Sequence, residues 1–152
     1  MTLYTPISID DLAYSFDPKT GKEKWEWGGQ LHSVNDHPAV KYINNNECQW
    51  YSHGLRHRDE TIGPAWILPK SSINIYYNLG NIHRNNGPAW IDPNYKKWYV
   101  NDELHRTDGP AIEYNNGMVE WWWKGKSYMF DGWADISKCD PEIYMILKLK
   151  YG

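Results

Sequence analysis

The sequence predicts a mainly β protein, an elongated array of about five stacked β-hairpin repeats closed by a short C-terminal helix. Three observations lead there. A segment of the form aromatic, six residues, His, then Gly-Pro-Ala returns along the chain; the stretches between copies alternate strand formers with turn residues; and no window before the C-terminal stretch shows a 3.6-residue apolar period.

The strongest copies run from Tyr76 to Ala89 and from Trp98 to Ala111. A third, Trp50 to Ala65, carries a two-residue insertion between Arg58 and Gly63. An earlier copy, Trp25 to Ala39, has His37 in place of the Gly, and a last one, Trp121 to Ala134, has Tyr128 in place of the His and Trp133 in place of the Pro. The aromatic-to-His (or Tyr) distance is seven residues in all five copies, and the His positions 32, 57, 83, 105 and 128 are 25, 26, 22 and 23 residues apart. One supersecondary unit per step follows. Length varies only after the His and between the Ala and the next aromatic, which marks those two places as turns.

Each Ala precedes a run with strand preference (Val40 to Ile43, Trp66 to Leu68, Trp90-Ile91, Ile112 to Tyr114) that is broken by turn residues (Asn44 to Asn46, Pro69 to Ser71, Asp92 to Asn94, Asn115 to Gly117). A second run carries the leading aromatic. Another tight turn follows at Gly28-Gly29, His53-Gly54, Leu79-Gly80, Asn101-Asp102 and Lys124-Gly125. Residues Ala13 to Trp27 read as the same hairpin without its Gly-Pro, and Ala134 as a sixth start. Gly supplies φ freedom and Pro withholds a ladder donor, so the chain bends there between units. Asp140-Pro141-Glu142 followed by Ile-Tyr-Met-Ile-Leu-Lys predicts a helix at about 141–150 with Ile143, Ile146 and Leu147 on its packed face. The resulting layout is a single repeat domain over 1–152, with an N-terminal cap over 1–12, hairpin repeats over 13–134 and a C-terminal cap over 135–152.

Composition limits function. In 152 residues there are ten Trp and twelve Tyr but two Phe, so aromatic bulk must hold the fold together. A net charge of -3 disfavours general nucleic-acid coating. No apolar run is long enough to span a membrane and the N-terminus lacks the pattern of a signal peptide, so a cytoplasmic location is expected. Cys48 and Cys139 read as reduced thiols rather than a disulfide scaffold or metal site.

The residues His83, Arg84, Asn86, Gly87, Pro88, Ala89 and His105, Arg106, Asp108, Gly109, Pro110, Ala111, with His57, Arg58, Gly63, Pro64 and Ala65 around the insertion, resemble the MORN-like hairpin repeat family. The match is closest to the divergent His-Arg-x-Asp-Gly-Pro-Ala arrays of large phages and other large DNA viruses, and covers about residues 13 to 134. The Gly-x-Gly and Tyr-x-Gly spacing of ordinary MORN hairpins is mostly absent, so membrane roles are not carried over. The resemblance implies a non-enzymatic, protein-binding scaffold. If the chain is viral, it implies host–virus interaction in the host cytoplasm, such as binding and inhibiting a host defence factor.

Individual residues point the same way. His57, His83 and His105 recur too far apart to share one metal ion and are expected to hydrogen-bond turn backbone within each unit, so no metal or cofactor is expected. Arg58, Arg84 and Arg106 should form a column, paired with Asp59, Glu60, Asp108 or Glu113, or free to take a partner's carboxylate or phosphate. The leading aromatics Trp25, Trp50, Tyr76, Trp98 and Trp121 should stack as a core ladder. Tyr51, Tyr77, Tyr99 and Trp122 belong to the opposite face and are the candidate binding residues together with the three arginines. No nucleophile elbow, phosphate loop or activated Cys is present, so no enzyme is expected. The alternative reading is a nucleotide- or small-ligand-sequestering protein using aromatic stacking plus Arg. Open hairpin edges leave room for a homodimer.

Overall fold

A computed structural model describes residues 7–128 together with Pro141, Met145 and Leu149. The expected helix at about 141–150 falls, apart from those three positions, outside the described residues, as do the start at Ala134 and Cys139. The described chain is mainly β and antiparallel, and it divides into two compact units, Met1–Asn81 and Ile82–Gly152.

In the first unit a 3₁₀ turn, Ile9–Asp11, is capped by Ser8, whose hydroxyl accepts from the Asp10 N–H while the Asp11 carboxylate accepts from the Ser8 N–H at 2.7 Å. Three hairpins then lie side by side. They are Ala13–Asp17 with Lys22–Trp27, Val40–Tyr42 with Glu47–Gln49, and Trp66–Leu68 with Ile73–Ile75. Their turns use short polar side chains against the backbone: Asp17 accepts from the Lys19 N–H and the Thr20 hydroxyl, and Asn45 accepts from the Glu47 N–H. Adjacent turns interlock at Gly21, where the Asn44 amide donates to the Thr20 carbonyl and a Cβ would lie 2.6 Å from Asn44 Nδ2.

The second unit repeats the scheme with Trp90–Ile91 against Tyr95–Lys97 and Ile112–Tyr114 against Val119–Trp123, the latter also pairing with Lys126–Tyr128. Asp92 accepts from the N–H groups of Asn94 and Tyr95, Asn115 donates to the Pro93 carbonyl, and Gly117 takes a φ of +87°.

Beyond each leading aromatic the chain makes a shorter hairpin, as at Tyr51–Ser52 with Leu55–Arg56 and Tyr99–Val100 with Glu103–Leu104. The tip residues both have positive φ: His53 and Gly54 at 48° and 78°, Asn101 and Asp102 at 51° and 65°, Lys124 and Gly125 at 46° and 73°. This is the mirror-image turn that matches strand twist, and it falls at the expected positions.

The core is built around small residues. Ala39, Ala65, Ala89 and Ala111 are each 0% exposed, and the backbone of three of them is drawn against the leading aromatic of their own copy: the N–H groups of Trp25, Trp50 and Trp98 donate to the carbonyls of Ala39, Ala65 and Ala111 at 2.8–2.9 Å. Val34, Val40, Trp50, Ile75, Ile112 and Trp123 complete the buried apolar set among the described residues. A larger side chain at the alanine has nowhere to go. Ala65→Leu is therefore expected to destabilise the protein by about 1–3 kcal/mol, measured by urea denaturation, while Ala65→Gly costs less than about 1 kcal/mol.

Candidate functional site

The repeat residues form a defined bonding pattern. Arg58, Arg84 and Arg106 each donate from Nη1 to the carbonyl of the Pro in their own Gly-Pro-Ala, at 3.1, 3.2 and 3.1 Å. The guanidinium carbons of Arg58 and Arg106 sit 3.9 and 3.8 Å from the ring centres of Trp50 and Trp98. On the other side stands the glycine. A Cβ at Gly63 would come within 2.9 Å of Arg58, one at Gly87 within 3.3 Å of Arg84, and one at Gly109 within 2.9 Å of Arg106. Gly is thus required where it lies because a flat guanidinium is clamped between its backbone and an aromatic ring.

The first copy shows the same slot filled differently. Ser33 replaces the Arg and His37 replaces the Gly, and the His37 imidazole packs edge-on against Trp25 with ring centres 4.4 Å apart. Trp25, Trp50 and Trp98 therefore take these partners from their own copies, which corrects the expected ring-on-ring ladder.

The outer edges of two guanidiniums meet carboxylates. Arg58 binds Asp36 through two parallel hydrogen bonds of 2.8 and 2.7 Å, linking the second copy to the first, whereas Asp59 turns to Thr61. Arg106 binds Asp108 at 2.7 Å and Glu113 at 2.6 Å, as the sequence reading expected. Burial opposes the Arg106 charge, but these two acids hold it protonated. Arg58 also lines a cleft of about 210 Å³ with Asp36, Trp50 and His57, where its charge is already matched by Asp36.

The histidines bond turn backbone, but between copies rather than within them. The Nδ1 atoms of His32, His57, His83 and His105 accept from the N–H groups of His53, Leu79, Asn101 and Lys124, at 3.1, 3.3, 3.2 and 3.1 Å. Each acceptor Nδ1 requires the Nε2–H tautomer. The correction has a simple cause: the residue that donates is the first tip residue of the next short hairpin, whose positive φ leaves its N–H unmatched in the hairpin itself.

The opposite face holds Tyr51, Tyr77, Tyr99 and Trp122, all half-buried. The polar ends of two of them are fixed by neighbours two residues away on the same side of a strand: the Tyr51 hydroxyl donates to Gln49 Oε1 at 2.8 Å and the Trp122 indole to Glu120 Oε2 at 2.9 Å. Trp66 and Trp90, directly after Gly-Pro-Ala, join them by donating to Glu47 and Asp92. Hydrogen bonds from Tyr114 and Trp122 hold the Glu120 carboxyl below its ordinary range. Burial, and after it the Asp102 charge, pushes the Tyr99 hydroxyl up.

One residue on this face escaped the sequence reading. Arg56 lies 5.4, 4.3 and 4.9 Å from the ring centres of Tyr51, Trp66 and Tyr77, and its Nη2 donates to Gln49 Oε1 and the Tyr51 hydroxyl, both at 2.9 Å. No carboxylate among the described residues pairs with it, and its buried Nε has no hydrogen-bond partner there. A signal was present in the repeat. The residue before the His is Leu31, Ile82 and Leu104 in three other copies and Arg56 only here.

Among the described residues no group of three or more His, Cys, Asp or Glu is placed to hold a metal, and no helix is long and apolar enough to cross a membrane. Cys48 is a half-buried free thiol whose burial raises its pKa. No family model, curated protein or solved structure matches the chain.

Two predictions follow from this geometry. Gly109→Ala should lower stability by about 1–3 kcal/mol by pushing on the Arg106 guanidinium, and in an Arg106→Ala background the same change should cost markedly less. Denaturation of the four members of this double-mutant cycle measures the difference. The second concerns pH. Burial, reinforced by the His53 charge at His32 and by Lys124 at His105, lowers both imidazole pKa values below 6.5, with Glu103 opposing at His105. The unfolded chain then binds protons more readily than the folded one, so stability falls as pH drops through the ordinary imidazole value and towards the folded one. Melting temperature should decline between pH 7 and pH 5, and His105→Asn, whose amide oxygen can accept the same turn N–H without titrating, should soften that decline.

Proposed function

We propose that this chain is a non-enzymatic protein-binding scaffold of the MORN-like type, an array of hairpin repeats that engages a protein partner through its aromatic face. The observation that carries the reading is the Arg56 cluster. A guanidinium stands amid Tyr51, Trp66 and Tyr77 in a slot that three other copies fill with an aliphatic side chain, and no carboxylate among the described residues pairs with it. Trp, Tyr and Arg dominate binding hot spots because they offer large contact area with few rotatable bonds. Here their hydroxyl, indole and amide neighbours already hold them in place, which limits the ordering cost on association.

The partner that fits presents a carboxylate flanked by apolar surface. A host protein bound by a viral inhibitor is the setting that the repeat resemblance suggests, with the cytoplasm as its place. Nucleotide sequestration by the arginine column is less well supported, since Arg58 and Arg106 are already matched by Asp36, Asp108 and Glu113.

The test is capture from a lysate of the natural host. Wild-type protein should retain a partner in stoichiometric amount, whereas Arg56→Leu, the residue type of two other copies, should keep the melting transition and bind at least 10-fold more weakly, a difference of about 1.4 kcal/mol. Recovery of no protein by the wild type, or equal recovery by Arg56→Leu, would count against the reading.

A further inference from the structure

Among the described residues the strand Ala13–Asp17 ends the sheet of the first unit, and all five of its residues are exposed. Proteins usually blunt such an edge with Lys, Pro or a bulge. None interrupts this one: Ala13, Tyr14, Ser15, Phe16 and Asp17 pair without a break with Glu26, Trp25, Lys24, Glu23 and Lys22.

Which backbone groups remain open follows from the partner strand. The Trp25 N–H donates to the Ala39 carbonyl and the Trp25 carbonyl accepts from the His32 N–H, so Trp25 bonds away from the edge strand. By alternation Lys22, Lys24 and Glu26 bond towards it and satisfy Asp17, Ser15 and Ala13. Tyr14 and Phe16 are left with N–H and C=O groups directed outward. Their side chains are 56% and 45% exposed, and Tyr14 extends the aromatic surface from Trp25, with ring centres 5.2 Å apart.

We propose that this edge pairs with the same edge of a second copy of the chain, in an antiparallel register centred on Ser15. Only residues with outward backbone groups can form the hydrogen-bonded pairs of a new ladder, which restricts those pairs to Tyr14 and Phe16. The register that sets Tyr14 opposite Phe16 of the second copy forms two such pairs, puts an aromatic against an aromatic twice, and meets Ser15 with Ser15 across the two-fold axis. A shift that put Tyr14 against Tyr14 would form one such pair instead of two. The interface is self-complementary and closes on itself, so the product is a dimer rather than a fibre.

The register is tested by cysteine placement and the association by mass. A Ser15→Cys variant should oxidise to a dimer joined through residue 15, identified by mass spectrometry of the linked peptide, because facing residues of a non-hydrogen-bonded pair have Cα atoms about 4.5 Å apart. Ala13→Cys and Asp17→Cys should not, since residue 13 faces residue 17. Light scattering should give twice the 18.0 kDa chain mass for the wild type and the single-chain mass for Phe16→Lys, with the melting transition retained. A wild-type monomer whose Tyr14 and Phe16 amides exchange freely would overturn the proposal. So would a monomer in which the chain's own remaining residues protect those amides, or a dimer that survives Phe16→Lys without forming the residue-15 cross-link. None of these outcomes depends on Arg56, so the dimer can fail while the partner-binding reading stands.

Discussion

The structure depends on one recurrent bond, from the tip amide of each short hairpin to the imidazole Nδ1 of the preceding copy. A two-stranded hairpin is marginal by itself in water, and these are shorter than most. Each tip makes two attachments to the copy before it. The first tip residue donates to the imidazole, and the second donates to the carbonyl of the residue just before that histidine: Gly54 to Leu31 at 2.9 Å, Gly125 to Leu104 at 3.1 Å. Both donors point the same way only because both tip residues adopt positive φ. The backbone conformation of the turn and the choice of His seven residues after an aromatic are therefore one constraint.

The second constraint is the clamp on the arginine. A guanidinium is flat, weakly hydrated and always charged, so it can be pressed between an indole and a glycine backbone while its edges still find acceptors. Its inner edge meets the Pro carbonyl, which explains why the Arg and the Gly-Pro-Ala travel together through the sequence. The tolerance to insertion is explained as well. The two extra residues between Arg58 and Gly63 bulge outward into a turn held by Asp59 and Thr61, while the Arg58-to-Pro64 bond keeps its length. Loss of both Arg and Gly in the first copy is compensated by a single imidazole, His37, that occupies the space over Trp25.

Much of this was legible in the sequence because the repeat is written in residues with unusual backbone needs. Gly, Pro and Asn placed the turns of the described residues, and the runs of strand formers between them placed the long hairpins. The bonding between copies was harder to read. His57 and Leu79 are 22 residues apart, and nothing local says that an imidazole will reach the next tip rather than its own. The partner Asp36 was likewise not legible for Arg58, because Asp59 and Glu60 are nearer along the chain, yet Asp59 turns to Thr61. At the candidate site, Tyr51 and Tyr77 were placed on the second face by strand alternation alone, yet the cation between them was missed. Attention went to the residues that recur, and Arg56 is informative because it does not.

That exception bears on how a repeat protein acquires a site. Copies that must fit one another hold the same residues for the same mechanical reasons, so the clamped arginines and the turn-binding histidines are committed to architecture. A slot that holds Leu31, Ile82 and Leu104 in three other copies needs no charge, and a charge there weakens the module unless something offsets it. Tyr51, Trp66, Tyr77 and Gln49 offset it in part, through ring faces and two hydrogen bonds, and the Glu47 carboxylate, accepting from Trp66 at 2.8 Å and Gln49 at 2.7 Å, stands one residue further out. Among the described residues no carboxylate pairs with Arg56 directly, and under the proposed reading that contact is the one a partner makes.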